Sequence, residues 1–220
     1  MNKNILIVVA HADDEVLGCG ATISKHIRNK DNVSVLVLTD SSSAQGKDIN
    51  IRHNEFLKAM NILGVEDFEK LDYKDNRLDS YDLVDIVKDI EIIKEKINPD
   101  IVYTHSYNDL NLDHQITNKA VLTAFRPLPN YKKCNIFAFD IPSSIEYQSV
   151  YHLRTNPNYY NTIDEIDLKI KIQAMMAYET ELHPFPHPRS IENLEISAKK
   201  EGTMCGEALA ESFYIERLIN

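Results

Sequence analysis

Two stretches of the 220-residue sequence concentrate side chains able to hold a metal ion or move a proton. His11-Ala12-Asp13-Asp14-Glu15 sets an imidazole just ahead of three successive carboxylates, and Thr104-His105, followed by Asp109-Leu110-Asn111-Leu112-Asp113-His114, adds further imidazoles and carboxylates. Imidazole nitrogen with carboxylate oxygen is a donor set that borderline-soft divalent ions accept. A catalytic zinc takes three such protein ligands and keeps a fourth position for water. Each stretch also has a plain structural use, because the acidic triplet suits the positive N-terminal end of a helix and His114 suits a surface position. Their weight comes from where the chain must place them.

Asn4 to Ala10 is a continuous β-branched and aliphatic run, the pattern of a strand buried on both faces within a parallel sheet. A second such run is Val33 to Leu38, followed by the polar stretch Thr39 to Asp48, which reads as a loop. Phe56, Leu57, Met60 and Leu63 recur at helical spacing with Gly64 as a stop, and Leu83 to Ile97 forms an amphipathic helix that ends before Pro99. Short strands are predicted at Leu71–Tyr73, Ile101–Thr104 and Ile136–Phe139, and a helix from about Asp113 to Ala124. From Ile163 onward the pattern is helical, broken at His183 to Pro188 and at Gly202. This alternation predicts an α/β fold with a doubly wound, mostly parallel sheet and helices on both faces. We expect one domain over residues 1–220, with a helical C-terminal part from about Asn156 packed on the same core. In such sheets ligands lie beyond the C-terminal ends of the strands. Both chemistry-bearing stretches follow a strand directly.

With 24 Lys+Arg against 34 Asp+Glu, the net charge of −10 argues against nucleic acid or an anionic membrane as the main partner. No apolar run approaches the roughly 20 residues of a membrane helix, and Ile5 to Ala10 is too short for a signal-peptide core. A cytoplasmic protein is therefore expected. Cys19, Cys134 and Cys205 are widely spaced and read as reduced, buried thiols. Ser41-Ser42-Ser43 reads as loop rather than nucleophile, since no GxSxG elbow is present. His26, His53 and His152 read as structural or solvent-facing, and Met175-Met176 and Tyr159-Tyr160 as packing residues.

His11-Ala12-Asp13-Asp14-Glu15-Val16-Leu17-Gly18-Cys19-Gly20 resembles the AHPDDExLGxGG motif of the PIG-L/LmbE family of zinc-dependent N-deacetylases. Asn111-Leu112-Asp113-His114 sits where that family carries HxDH. Arg52 with Glu55, and the run Gly206 to Phe213 with Ala210-Glu211-Ser212-Phe213, extend the likeness over nearly the whole chain. The resemblance implies a Rossmann-like fold and zinc-dependent hydrolysis of an N-acetyl or other N-acyl group. The implied substrate is a small-molecule amino sugar, sugar conjugate or nucleotide sugar. It further implies His11, Asp14 and His114 as zinc ligands and Asp13 as general base. Arg52 is implied near the active site, where it would bind substrate, and a homo-oligomer is compatible with it.

Three departures from the motif stand out. Ala12 replaces a proline and Ala21 a second glycine, both local changes in stiffness or packing. Asn111 replaces a histidine that, when protonated, supports the oxyanion of the tetrahedral intermediate. Either Asn111 as a neutral donor or His105 could take that task, and Asp113, which would orient such a histidine, could instead cap a helix. The loop His183-Pro184-Phe185-Pro186-His187-Pro188-Arg189 offers His187 and Arg189 to an anionic substrate group, or is a plain connector. Two other functions compete. Asn111 leaves room for a catalytically idle sugar-binding module on the same fold. Gly18-Cys19-Gly20, with Asp40 at the end of the second strand, hints at a dinucleotide-binding oxidoreductase, but Ile23 stands where GxGxxG needs glycine.

Overall fold

The computed structural model describes residues 2–42, 46, 48–129, 131–149, 151 and 155–219. Its strands are β1 (Asn4–Val9), β2 (Asn32–Thr39), β3 (Asp67–Tyr73), β4 (Ile101–His105), β5 (Asn135–Phe139), β6 (Tyr159–Thr162) and β7 (Ala210–Arg217). Its helices are α1 (Asp14–Arg28), α2 (Ile49–Leu63), α3 (Leu83–Ile97), α4 (Leu112–Ala124), α5 (Glu165–Met176) and α6 (Ile191–Cys205). The sheet has the order β3-β2-β1-β4-β5-β7-β6, and the first five strands in that order run parallel.

The unbroken apolar run of β1 has a direct cause. Ile5, Ile7 and Val9 face one hydrophobic cluster, built with α1, α2 and α5, while Leu6 and Val8 face another, built with α3 and α4. Alternate side chains point to opposite faces, so a strand covered on both needs apolar residues throughout. Because β2 lies on one side of β1 and β4 on the other, the connections leaving β1 and β4 diverge. A crevice opens between their C-terminal ends. The pairing of Val8 with Thr104 sets the residues after β1 beside His105.

The C-terminal part departs from the helical expectation. Residues 159–162 and 210–217 are strands, and β7 runs antiparallel between β5 and β6. The buried positions of Ala210–Arg217 are fixed by pairing with β5 and β6, partners distant in sequence. Helix α4 starts at Leu112, with Asn111 rather than Asp113 as its cap. Cys19 and Cys134 are buried free thiols, whereas Cys205 is exposed. Tyr159 stacks on Phe137, and Met175 is buried while Met176 is exposed. His26 bonds Asp31 and Tyr103, and His53 is exposed. His152 and Ser43 lie outside the described residues. No helix among the described residues is long and apolar enough to cross a membrane.

Gly18 and Gly20 lie inside α1, not in a phosphate-binding turn. A Cβ on Gly18 would come within 2.2 Å of the Phe139 ring, so this glycine lets α1 approach β5. Phe139 in turn packs edge-on against His105, 5.4 Å between centroids. Gly18→Ala is therefore expected to destabilise the protein by about 1–3 kcal/mol through overpacking. Gly20→Ala, which meets the flexible Lys171 stem at 3.0 Å, should cost clearly less. Urea denaturation of the two variants checks this ordering, and equal stabilities would contradict it.

Candidate active site

Asp13 is the residue on which the first motif turns. It is the N-cap of α1, with φ 116° and ψ −28°, a conformation that a non-glycine residue adopts only under constraint. Several contacts impose it. The Asp13 N–H donates to Glu15 Oε2 at 3.1 Å, and Glu15 is anchored by the Tyr178 hydroxyl at 2.6 Å. The preceding residue is pinned as well: Ala12 N–H donates to Ser41 Oγ at 2.9 Å, and its carbonyl accepts from Arg52 Nη2. Reversing the chain direction so tightly sends the side chains of His11, Asp13 and Asp14 to distinct places.

His11, Asp14 and His114 converge. One donor atom from each lies within 4.8 Å of the other two. Asp14 Oδ2 is 3.1 Å from His11 Nδ1, 3.3 Å from His114 Nε2 and 2.9 Å from the His11 backbone nitrogen. Its other oxygen, Oδ1, is buried without a hydrogen-bond partner. Each imidazole is oriented from behind by carboxylates. His11 Nε2 lies 3.2 Å from Asp113 Oδ2 and 3.3 Å from Asp75 Oδ1, and His114 Nδ1 lies 2.9 Å from Asp109 Oδ2 in a close but poorly aligned contact. With a proton held on the rear nitrogen, the front nitrogen of each ring offers its lone pair to the centre. Carboxylate-backed imidazoles of this kind are the usual surroundings of a metal-binding histidine. The donor set and the orphaned Asp14 oxygen fit a small divalent cation with nitrogen and oxygen ligands.

Electrostatics agree with that fit. Burial would lower the pKa of His11 and His114, but Asp113 and Asp14 outweigh it at His11, raising it to about 10, and Asp14 and Asp109 raise His114 to about 9. Asp14 itself is held well below the carboxylate range, since the charge of His114 and the hydrogen bond from His11 overcome its burial. The cluster thus draws positive charge to its centre, and His11 Nδ1 lies only 3.2 Å from His114 Nε2. A metal ion supplies that charge in place of two facing protons.

The remaining expected residues take other positions. Arg52 is 2% exposed, and its guanidinium donates to Ser41 O, Ala12 O, Glu55 and Thr180, with Glu181 Oε1 at 3.4 Å. Every edge is engaged by the protein, so Arg52 clamps the loops around the crevice and is not open to substrate. Asn111 also turns away. Its Oδ1 accepts from Asp113 N–H at 2.8 Å as the α4 cap, and its Nδ2 donates to Asn76 at 3.2 Å. Asp113 does orient a histidine, but the histidine is His11. His105 is fully buried, stacks on His114 at 4.0 Å, and accepts the Ala10 N–H on Nε2. Burial and the neighbouring His114 pull it down to about 4, so it is a neutral positioning group. His187 lies near the surface, its ring tilted against His183 at 4.1 Å with Tyr147 edge-on at 6.5 Å. Arg189 reaches inward instead, with Nη1 3.1 Å from Asp13 Oδ2 and 3.3 Å from Glu181 Oε2.

The glycine-rich hint of a dinucleotide site has no support in this geometry. Asp40 accepts from Lys74 Nζ and from the Ser42 N–H rather than facing an open ribose pocket. Asp75, Glu181 and the Glu15–Tyr178 pair join the site through contacts that the sequence does not announce, as does Asp109 in its role behind His114. Asp109 alone carried a local signal, standing five residues before His114.

Residues 6–125 match the family described as PIG-L, GlcNAc-PI de-N-acetylase. The chain is 28% identical over 184 residues to the "Uncharacterized deacetylase YaiS" of Escherichia coli (strain K12), covering 81% of this chain and 91% of that one. It is 28% identical over 192 residues to the diacetylchitobiose deacetylase of Thermococcus kodakarensis, covering 81% and 70%. Its fold is shared with the solved N,N'-diacetylchitobiose deacetylase of Pyrococcus horikoshii, with a TM-score of 0.76, 23% identity, and coverage of 97% of this chain and 83% of that one.

Proton linkage tests the centre. The surrounding carboxylates favour the protonated form of both imidazoles, so an entering ion competes with protons, and affinity should fall by up to about tenfold per displaced proton for each unit of pH below neutrality. Titration calorimetry with zinc in buffers of different ionisation enthalpy is expected to report at least one proton released at pH 7. Buffer-independent heats would show that zinc does not bind through these rings.

Proposed function

The chain belongs to the GlcNAc-PI de-N-acetylase (PIG-L) family of deacetylases, and from that premise we propose that it is a zinc-dependent hydrolase removing an N-acetyl or other N-acyl group from an amino sugar or sugar conjugate. One observation carries this reading: His11, Asp14 and His114 present donor atoms within 4.8 Å of one another, beside a further buried carboxylate, Asp13. His11, Asp14 and His114 would hold the zinc. When bound, zinc polarises an amide carbonyl and lowers the pKa of its water to about 7.

Asp13 is suited to move the proton. Burial pushes its pKa up, against the pull of Arg189. Its Oδ2 is taken by Arg189, which leaves Oδ1 to accept a proton from the attacking water and to pass it to the amide nitrogen as the C–N bond breaks. Being adjacent in sequence but divergent in direction, Asp13 and Asp14 cannot exchange tasks. His187 and Tyr147, packed edge-on to one another, would supply polar and aromatic contacts for a sugar ring, and we place the substrate among small amino-sugar derivatives.

Zinc-reconstituted protein is expected to release one acyl group from at least one member of a panel of N-acetylglucosamine, N,N'-diacetylchitobiose and nucleotide-linked N-acetylhexosamines, read by mass spectrometry. Substrate binding without any acyl loss across the panel would favour the idle sugar-binding reading instead. Asp13→Asn should keep stoichiometric zinc and lose roughly 10² to 10⁴ in kcat, whereas Asp14→Ala should lose the metal. Equal zinc loss in both variants would show that the roles of the two carboxylates are misassigned.

A further inference from the structure

Five charged side chains form a buried ladder from α2 to the base: Glu55, Arg52, Glu181, Arg189 and Asp13. Four of them are almost sealed from solvent, but the Arg189 side chain keeps 18% of its exposure while Asp13 keeps 3% and Glu181 6%. Two of the three nitrogens of its guanidinium are fixed. Nε donates to Ser143 Oγ at 3.0 Å and to Pro142 O at 3.4 Å, and Nη1 donates to Asp13 Oδ2 and Glu181 Oε2. No hydrogen bond ties Nη2 to any described residue. A cation held rigidly beside the base therefore retains one unused donor edge at the open side of the ladder.

Amide hydrolysis needs such an edge. As the water oxygen bonds to the acyl carbon, the carbonyl π pair moves onto oxygen. A donor fixed in advance stabilises that charge better than one that must reorganise. Zinc, when bound, would share that charge, but the side-chain donors the motif suggested are spent: the Asn111 amide is used at both ends, and His105 is neutral, sealed and turned to the Ala10 N–H.

We propose that Arg189 is a catalytic residue, presenting Nη2 to the acyl oxygen as negative charge builds there while Nη1 holds Asp13 in position for proton transfer. This rests on the deacetylase reading of the same crevice. The balance is simple: one water proton goes to Asp13 Oδ1, the C–N bond breaks as nitrogen takes that proton, and the carboxylic acid so formed gives its remaining proton to the amine, so that a carboxylate and an ammonium leave. Arg189 gives up no proton. Its charge does not titrate below pH ~12.

The test uses the zinc-loaded full chain, the panel member that wild type deacetylates, and its N-trifluoroacetyl counterpart, whose carbonyl oxygen accepts charge more readily. Lack of wild-type turnover would overturn the parent reading, and this one with it. Given turnover, Arg189→Ala is expected to lose about 10² to 10³ in kcat on the N-acetyl substrate, with KM within a few fold and zinc content unchanged. The loss should shrink on the trifluoroacetyl substrate, and millimolar guanidinium should restore part of the rate. Arg189→Lys keeps a cation against Asp13, and so the fold, but has no second donor edge. It should still lose at least tenfold in kcat. A defect confined to KM, an equal loss on both acyl groups without rescue, or wild-type kcat in Arg189→Lys would each overturn the assignment.

Discussion

Asp14 carries its negative charge where only 1% of the residue meets solvent, and an ion so placed costs several kcal/mol unless partners surround it. Much of the local architecture answers that cost. The His11 backbone turns its N–H onto Asp14 Oδ2, two imidazoles close from the sides, and a third, His105, stacks behind His114. Even so, Oδ1 stays without a partner. In most proteins an orphaned buried carboxylate oxygen would be selected against, because the full desolvation penalty falls on it. Here the incompleteness leaves a place that a cation would fill.

The constraint then propagates outward. For the centre to attract a metal rather than only protons, each imidazole must keep its proton on the far nitrogen, which is the task of Asp113 and Asp75 behind His11 and of Asp109 behind His114. Those carboxylates are themselves positioned by backbone groups: Leu78 N–H donates to Asp113, and Asn111 caps the helix that carries both Asp113 and His114. On the opposite side, the strained Asp13 is held by Glu15 below and Arg189 above. The balance of anions and cations along the Glu55–Arg52–Glu181–Arg189–Asp13 ladder lets this much charge lie under the surface, since each buried ion has an opposite neighbour within 3.4 Å.

The sequence made much of this legible because its strongest signals are local. The two-faced burial of β1 can be read from seven consecutive residues, and the His-x-Asp-Asp-Glu turn follows it without a gap. The strands at Val33, Ile101 and Ile136 and the α3 stripe were legible for the same reason. What escaped depended on partners far along the chain. Strand β7 is held by β5 and β6, which lie elsewhere in the sequence. The sequence offers Arg52 and Arg189 alike to substrate and says nothing of which way each guanidinium points. One closes a protein cage, and the other spans to Asp13 across 176 positions of sequence. Asn111 was placed by motif spacing alone, and its amide proved to be occupied in holding the first turn of α4.

The central claim is that His11, Asp14 and His114 form one nitrogen- and oxygen-ligated metal centre. X-ray absorption fine structure at the zinc edge, on protein loaded with one equivalent of zinc, tests it most directly. The account predicts a first shell of two imidazole nitrogens at about 2.0–2.1 Å with the remaining ligands oxygen at about 2.0–2.2 Å, and loss of the two-imidazole scattering pattern when His114 is replaced by Ala. A sulfur contribution near about 2.3 Å, or a shell unchanged by that replacement, would place the zinc elsewhere and contradict the account.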